Sequence, residues 1–185
     1  MLAKLADVAK IRTGVFARPE RQGDVLYLQS KNFDELGELD STVWPELKAQ
    51  GTLQKHLLKR GDVLFAAKGD KNFGTVFQDD RNAVASPTFL VFEMKDTSVL
   101  SEYISWQLND PTNLEFLRRN AVGTSMVSIS KSLIGELSIL IPPLEQQKKI
   151  VEAWRLSKKE YQLRLKIAEL RESFVQGALA RSINK

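Results

Sequence analysis

Three charged residues near the middle of the chain are of the types that a Mg²⁺-dependent nuclease uses. Asp80, beside Asp79 in an acidic turn, precedes Glu93 and Lys95, which follow a strongly apolar segment. Two carboxylates on adjacent strands can hold a metal ion, and a nearby lysine can polarise the attacking water. Acidic turns and a Glu-x-Lys strand end are also ordinary on a solvated surface. A nuclease that uses Asp80, Glu93 and Lys95 is therefore one alternative.

Other signatures of catalysis or metal binding are missing from the sequence. His56 is the single histidine and there is no cysteine, which excludes paired-histidine metal motifs, thiolate metal sites and disulfides. The chain has neither a Walker sequence nor a Gly-x-Gly-x-x-Gly fingerprint, and its serines have no evident histidine and aspartate partners to activate them. We therefore expect no catalytic residue, no metal and no cofactor in this chain.

The composition fits a soluble protein with a slight excess of positive charge. The 185 residues include 27 Lys and Arg against 23 Asp and Glu, which gives a net charge of +4 and a pI of about 9.3. This excess favours an anionic partner only slightly. The first residues are interrupted by charges, and no apolar run approaches the roughly 20 residues that span a bilayer. We expect a cytoplasmic protein without a signal peptide or a membrane partner.

Residues 1–143 have the pattern of a mixed α/β domain. Helical spacing covers 99–120, and Pro142-Pro143 ends the last apolar segment, because proline cannot donate to a strand ladder. The segments that read as strands are 24–29, 60–67, 74–77, 83–85, 88–92 and 133–141. Before the last of them, 123–132 is a small-polar loop whose backbone amides can face a phosphate chain. The predicted fold class is α+β, with a long C-terminal helix of the coiled-coil type.

Residues 144–185 are predicted to be a separate long helix. From Leu144 to about Arg181 there is no proline and Gly177 is the only glycine, so roughly 38 helical residues would extend about 55 Å. At about 100° per residue, the apolar residues separate into two stripes on nearly opposite sides. The first, here called the Tyr161 stripe, consists of Ile150, Val151, Trp154, Tyr161, Leu165, Ala168, Val175 and Leu179. The second, here called the Phe174 stripe, consists of Leu156, Leu163, Ile167, Leu170 and Phe174.

Two opposed apolar stripes indicate two sets of neighbours, because a helix that lies on its own domain needs only one. We therefore expect a helix that is sandwiched between partners and binds them through both stripes. The alternative is a helix buried in the middle of its own domain. Dense charges between the stripes, and the lack of remaining sequence to cover both faces, favour the first interpretation.

Several segments resemble the specificity (S) subunits of type I restriction–modification systems. The most specific are Gly123-Thr-Ser-Met-Val-Ser-Ile-Ser-Lys-Ser-Leu133 and Ile141-Pro-Pro-Leu-Glu-Gln-Gln-Lys-Lys-Ile-Val151. Similar segments also occur at 5–14, where a short helix leads to a strand and glycine, and at 26–33, 58–65 and 103–108. In this family a target-recognition domain that reads DNA is followed by a spacer helix.

The resemblance implies a non-catalytic subunit that directs methyltransferase (M) subunits, and possibly restriction (R) subunits, to a bipartite target in double-stranded DNA. S-adenosylmethionine would bind the M subunit. Basic side chains would contact phosphates, and polar side chains would read base edges. The candidate DNA contacts are Arg12, Thr13, Arg18, Arg21, Lys31, Asn32, Lys68, Lys71, Asn72, Thr124, Ser125 and Ser128.

A typical S subunit carries two recognition domains and two spacer helices in tandem, whereas this sequence shows one of each. It therefore resembles a half-subunit, which we expect to form a homodimer through the C-terminal helix. The rival interpretation is a stand-alone dimeric DNA-binding regulator or decoy that never meets a methyltransferase.

Overall fold

The computed structural model describes residues 1–20, 23–48, 51–69, 71–122 and 128–183. The chain divides into two compact units, Met1–Lys148 and Lys149–Lys185. The boundary that we predicted from the sequence, between residues 143 and 144, lies a few residues earlier. Within the described ranges, no helix is long and apolar enough to cross a membrane.

The secondary structure alternates short strands with short helices and ends in one long helix. The strands are β1 (Leu2–Lys4), β2 (Ala9–Thr13), β3 (Leu26–Leu28), β4 (Val63–Ala66), β5 (Gly74–Val76), β6 (Ala83–Ala85), β7 (Phe89–Met94) and β8 (Ser138–Leu140). The α-helices are α1 (Leu5–Val8), α2 (Ser101–Asn109), α3 (Pro111–Arg119), α4 (Lys131–Gly135) and α5 (Leu144–Ile183). Two 3-10 turns cover Ser30–Asn32 and Gly51–His56.

A four-stranded antiparallel sheet, in the order β2-β7-β4-β5, forms the centre of the first unit. Its middle strands come from the most apolar segments, and all four residues of β4 are buried. In the register, Thr13 pairs with Leu90 and Ala66 pairs with Phe89. The carboxyl ends of β2 and β4 therefore meet the amino ends of β5 and β7. We call this end of the sheet the Thr13 end.

Smaller sheets and helices extend this core. Strands β3 and β6 pair in parallel, and β1 pairs antiparallel with β8. Helix α2 packs on β4 and β5, where Gly74 permits a close approach. A Cβ atom at Gly74 would lie 2.9 Å from the Cβ of Leu108, so a larger residue there would push the helix away from the strand.

The predicted strand 133–141 is wrong in its first half. Residues Lys131–Gly135 form helix α4, and only Ser138–Leu140 form a strand. The reason is local, because the side chain of Ser130 accepts a hydrogen bond from the backbone N–H of Leu133 at 3.1 Å and thereby caps the helix. The apolar run did not reveal this start, since a short buried helix and a buried strand have similar compositions.

The predicted long helix is confirmed. Helix α5 contains 40 residues, which corresponds to about 60 Å. The Phe174 stripe is exposed on it throughout, from 50% at Ile167 to 70% at Phe174. The Tyr161 stripe is exposed from Tyr161 (43%) onward, whereas Val151 at its start is buried and Ile150 and Trp154 are half-buried. The alternative of a helix buried in its own domain is therefore wrong for this chain.

Gln147 connects the first turn of α5 to the domain before it. Its side chain is fully buried, and its Oε1 accepts a hydrogen bond from the N–H of Leu100, the N-cap residue of α2, at 3.0 Å. Its Nε2 donates to the carbonyl oxygens of Ser98 and Pro142, each at 2.9 Å. One carboxamide thus satisfies three backbone groups that would otherwise lack partners.

Replacing this carboxamide should destabilise the domain strongly. We expect Gln147→Leu to lower the free energy of unfolding by roughly 2–4 kcal/mol, because it leaves buried backbone groups unsatisfied. The neighbouring exposed residue offers a matched control, and Gln146→Leu should change stability by no more than about 0.5 kcal/mol. Chemical denaturation followed by circular dichroism measures both, and equal stability of the two variants would contradict this role for Gln147.

Candidate nucleic-acid interface

Backbone hydrogen bonds tie loops that are distant in sequence together at the Thr13 end. The N–H of Gly14 donates to the carbonyl oxygen of Phe89 at 2.9 Å, and the N–H of Ala67 donates to that of Thr88 at 2.8 Å. In turn, the N–H of Ile129 donates to the carbonyl oxygen of Ala67 at 2.9 Å. These bonds place the segments after β2, after β4, before β7 and before α4 side by side.

The close contact at Gly14 explains why this position carries no side chain. A Cβ atom there would lie 2.0 Å from the carbonyl oxygen of Ser86. Ser86 also donates its N–H to the carbonyl oxygen of Leu28 at 2.8 Å. The end of β3, and the turn Ser30–Asn32 that follows it, therefore join the same set of loops.

Three phenylalanine rings pack beneath these loops. The ring centroid of Phe33 lies 5.6 Å from that of Phe73 and 5.5 Å from that of Phe89, and the centroids of Phe73 and Phe89 are 6.1 Å apart. Each ring follows or precedes one of the loops, so the cluster joins them from the core side. Tilted and edge-on arrangements of this kind stabilise by about 0.5–1.5 kcal/mol per pair beyond the area that is buried.

The structure brings five of the predicted DNA contacts together around this end. Thr13 is exposed at the end of β2, and Lys31 is exposed in the turn after β3. Lys68 is exposed and pairs through its backbone with Ser128, which is partly exposed. Lys71 is also exposed, with its ammonium 3.5 Å from the carboxylate of Glu35.

Arg12, in contrast, has a structural task. Its guanidinium lies 3.6 Å from the buried carboxylate of Asp62 and donates to the carbonyl oxygens of His56 and Leu57 at 3.4 and 3.3 Å. Burial raises the pKa of Asp62, whereas a hydrogen bond from the Lys59 N–H and the nearby Arg12 charge oppose that rise. The Arg12 side chain is only 22% exposed, so we leave it out of the proposed DNA contacts.

Two of the predicted DNA contacts, the amide side chains of Asn32 and Asn72, form hydrogen bonds within the protein. The Oδ1 of Asn32 accepts the N–H of Gln29 at 2.8 Å and so closes the turn Ser30–Asn32. Asn72 is 7% exposed, and its Nδ2 donates to the carbonyl oxygen of Ala66 at 2.9 Å. Both side chains fix loops, so they too are left out of the proposed DNA contacts.

The remaining candidates lie elsewhere. Arg18 is exposed. Two residues later, the N–H of Glu20 donates to the carbonyl oxygen of Glu46 at 2.6 Å, which places this segment beside the loop before Leu47. Arg21, Thr124 and Ser125 lie outside the described residues, as does the first half of the predicted loop 123–132. Their roles stay predictions.

Sequence reasoning missed Arg118. This residue is exposed in the last turn of α3, and its Nε donates to the Oδ1 of Asn72 at 3.1 Å. The available signal was the pair Arg118-Arg119 at the end of a helical segment. Only the tertiary structure shows that α3 directs the first of these arginines to the Thr13 end.

The structure gives no support to the nuclease alternative. The carboxylate of Asp80 pairs with Arg60 at 2.6 Å, and that of Glu93 pairs with Lys59 at 2.5 Å, which lowers the pKa of Glu93. The ammonium of Lys95 donates to the carbonyl oxygen of Ala6 at 2.6 Å. Among the described residues, no three His, Cys, Asp or Glu side chains form a group that could hold a metal ion.

The structural role of Arg12 predicts a pH-dependent loss of stability. Arg12→Ala leaves the carboxylate of Asp62 buried without its cation, so the free energy of unfolding at pH 7 should fall by about 1–3 kcal/mol. Because burial raises the folded-state pKa of Asp62, its protonation as the pH falls removes the buried charge, and the deficit relative to the wild type should shrink toward acidic pH.

The matched background is Asp62→Asn, in which the effect of Arg12→Ala should no longer depend on pH. Urea denaturation between pH 4 and 7 provides the measurement. A deficit that stays constant with pH in both backgrounds would show that the ion pair plays no part.

Comparison with solved structures shows that this fold has relatives. The chain is similar to the HsdS subunit from Thermoanaerobacter tengcongensis, with a TM-score of 0.61 and 16% identity over 86% of this chain and 37% of that one. It is also similar to a structure that describes complex assembly and conformational transition of the type I R-M system, with a TM-score of 0.62 and 18% identity over 86% of this chain and 38% of that one. The type I S subunit from M. genitalium gives 0.57 and 11% over 89% and 41%.

These likenesses establish the fold, and the chain spans about two fifths of the length of each matched structure. No curated protein sequence matches it. A family model does match, over residues 2–163, and it describes the type I restriction modification DNA specificity domain. That match includes the first unit with all the loops at the Thr13 end and the first part of α5. The chain therefore belongs to the family of type I restriction–modification DNA specificity domains.

Proposed function

We propose that this chain is a sequence-specific DNA-recognition subunit of a type I restriction–modification enzyme. The observation that carries the proposal is the convergence of exposed lysines and hydroxyls on loops that backbone hydrogen bonds fix at one end of the central sheet. Membership of the specificity-domain family supports the same conclusion.

The lysines at the Thr13 end would provide most of the binding energy. Lys31, Lys68 and Lys71 can neutralise phosphates and so release counterions, a term that does not depend on sequence. The hydroxyls of Thr13 and Ser128 can donate to or accept from base edges, where the sequence is read. Because the loops are fixed before binding, little conformational entropy is lost when DNA is bound.

Chemistry would be left to partner subunits. The M subunit would bind S-adenosylmethionine and methylate the DNA, and an R subunit would cleave it. This chain would determine the site at which both act. That division of tasks agrees with the ion pairs and hydrogen bonds that occupy Asp80, Glu93 and Lys95.

The long helix would join recognition to assembly. Two exposed stripes provide two interfaces, one for a second copy of this chain and one for M subunits. A stand-alone dimeric regulator would need only one of them, so the pair of stripes favours the subunit. In a symmetric homodimer the two recognition domains would read the same bases on opposite strands, which makes the bipartite target an interrupted palindrome.

Removing a lysine at the Thr13 end should weaken DNA binding. Lys68→Ala should lower the affinity for all duplex sequences alike, and the slope of log affinity against log salt should become about 0.9 less steep for the lost phosphate contact. Lys10→Ala is the control, because Lys10 is exposed on the same sheet opposite Glu93, several residues from the Thr13 end. Fluorescence anisotropy over a salt series measures both, and equal slopes for the two variants would contradict the proposal.

Each stripe should support a different association. Leu163→Asp with Leu170→Asp places charges in the Phe174 stripe, and Tyr161→Asp with Leu165→Asp places them in the other, so each pair should abolish one interface. Ser173→Asp adds one charge of the same sign at an exposed position between the stripes and is the control.

Light scattering of the chain alone and copurification with M subunits would separate the two associations. We expect one double variant to become monomeric and the other to lose M subunits. If both retain the assembly state and partner binding of Ser173→Asp, the two-interface proposal is wrong.

A further inference from the structure

Asn72 is a buried amide whose two ends serve different partners. Its Nδ2 donates to the carbonyl oxygen of Ala66, the last residue of β4, at 2.9 Å. That bond fixes the orientation of the carboxamide, since the donor and acceptor ends cannot be exchanged without losing it. The Oδ1 therefore faces Arg118, whose Nε donates to it at 3.1 Å. The carboxamide thus determines where the guanidinium lies.

The guanidinium of Arg118 keeps its outer side open. A guanidinium carries five N–H donors in one plane, and Asn72 accepts only the one on Nε. Among the described residues no ion pair or further hydrogen bond to the two terminal nitrogens is found. These two nitrogens can bind two oxygens of one phosphate side by side, as the planar fork of arginine does.

The position of Arg118 puts that fork beside the predicted DNA contacts. Asn72 lies in the segment between β4 and β5, four residues along the chain from Lys68. The chain after Arg118 continues to Val122, which pairs with Ser128, and Ser128 pairs with Lys68. Ser128 thus links the segment that follows α3 to the loop that contains Lys68.

We propose that Arg118 binds a backbone phosphate of duplex DNA and that Asn72 is its positioning residue. This inference rests on the proposed DNA-recognition function and assigns it a contact that the loop lysines do not provide. A flexible lysine meets a phosphate as a point charge, whereas an arginine held at Nε presents a fixed pair of donors. Arg118 would therefore fix the register of the domain on DNA in addition to neutralising charge.

The adjacent arginine provides a matched control. Arg119 is on the same helix turn, is also exposed and carries the same charge, but its guanidinium is paired with Glu115 at 2.5 Å along the helix. A general effect of positive charge on α3 would appear in both residues. An effect of the Asn72-oriented fork would appear only in Arg118.

The experiment measures binding of the full chain to a fluorescein-labelled, mixed-sequence duplex of about 30 base pairs over a salt series. Arg118→Ala should weaken binding on the order of tenfold at low salt and make the salt slope about 0.9 less steep. Arg119→Ala should change the affinity by no more than about twofold and leave the salt slope unchanged. Arg118→Lys should retain the salt slope but recover only part of the affinity.

A double-mutant cycle separates positioning from stability. Asn72→Ala should weaken binding in the wild-type background and have no further effect on binding in the Arg118→Ala background. Thermal unfolding of each variant establishes that the chains compared are folded, and an Asn72→Ala chain that does not fold is replaced in the cycle by Asn72→Ser.

The outcomes distinguish this inference from the function on which it rests. If the wild-type chain binds the duplex without dependence on salt, or not at all even with M subunits, the proposed function itself fails. If the wild type binds and Arg118→Ala behaves like Arg119→Ala, or if the effects of Asn72→Ala and Arg118→Ala simply add, only the assignment of Arg118 and Asn72 is overturned.

Discussion

The end of an antiparallel sheet leaves backbone groups that no strand can satisfy, and the way this domain satisfies them determines its functional surface. At the Thr13 end the loops satisfy one another: Gly14 bonds to Phe89, Ala67 to Thr88 and Ile129 to Ala67. Buried backbone groups must find such partners, so the loops cannot move independently. Segments from widely separated parts of the sequence therefore form one continuous surface.

The polar side chains near this surface divide into two groups according to burial. Arg12 and Asn72 are largely buried and bond to carbonyl oxygens or to Asp62. Lys31 and Lys68 are exposed and project from loops that the backbone already fixes. A polar residue in the first group stabilises the frame, since leaving its partners unsatisfied would cost about 1–3 kcal/mol each. A residue in the second group is available to an external partner.

The sequence predicted the fold where patterns are long or strongly apolar. The strand at 83–85 and the long helix from Leu144 are confirmed, and the strand at 74–77 is one residue shorter than expected. The site was predicted only in part, because composition identifies polar loops but not which side chains the fold buries. Asn72 looked like a base contact in the sequence, whereas its carboxamide holds Ala66 and Arg118. The short helix α4 was not predicted, because it depends on a single capping hydrogen bond to the side chain of Ser130 that the apolar pattern does not reveal.

Since the frame at the Thr13 end depends on backbone bonds, the side chains that face outward can change without loss of the fold. A substitution at Lys68 leaves its backbone pairing with Ser128 intact, whereas any side chain at Gly14 would collide with Ser86. The backbone groups that stabilise the frame and the side chains that we propose to contact DNA are thus different atoms of the same loops. The apolar stripes of α5 lie beyond these loops in the sequence, so the proposed interfaces share no residue with the proposed DNA contacts. On the proposed function, the exposed side chains of these loops can be exchanged to change the target, while the stripes that would bind partners stay the same.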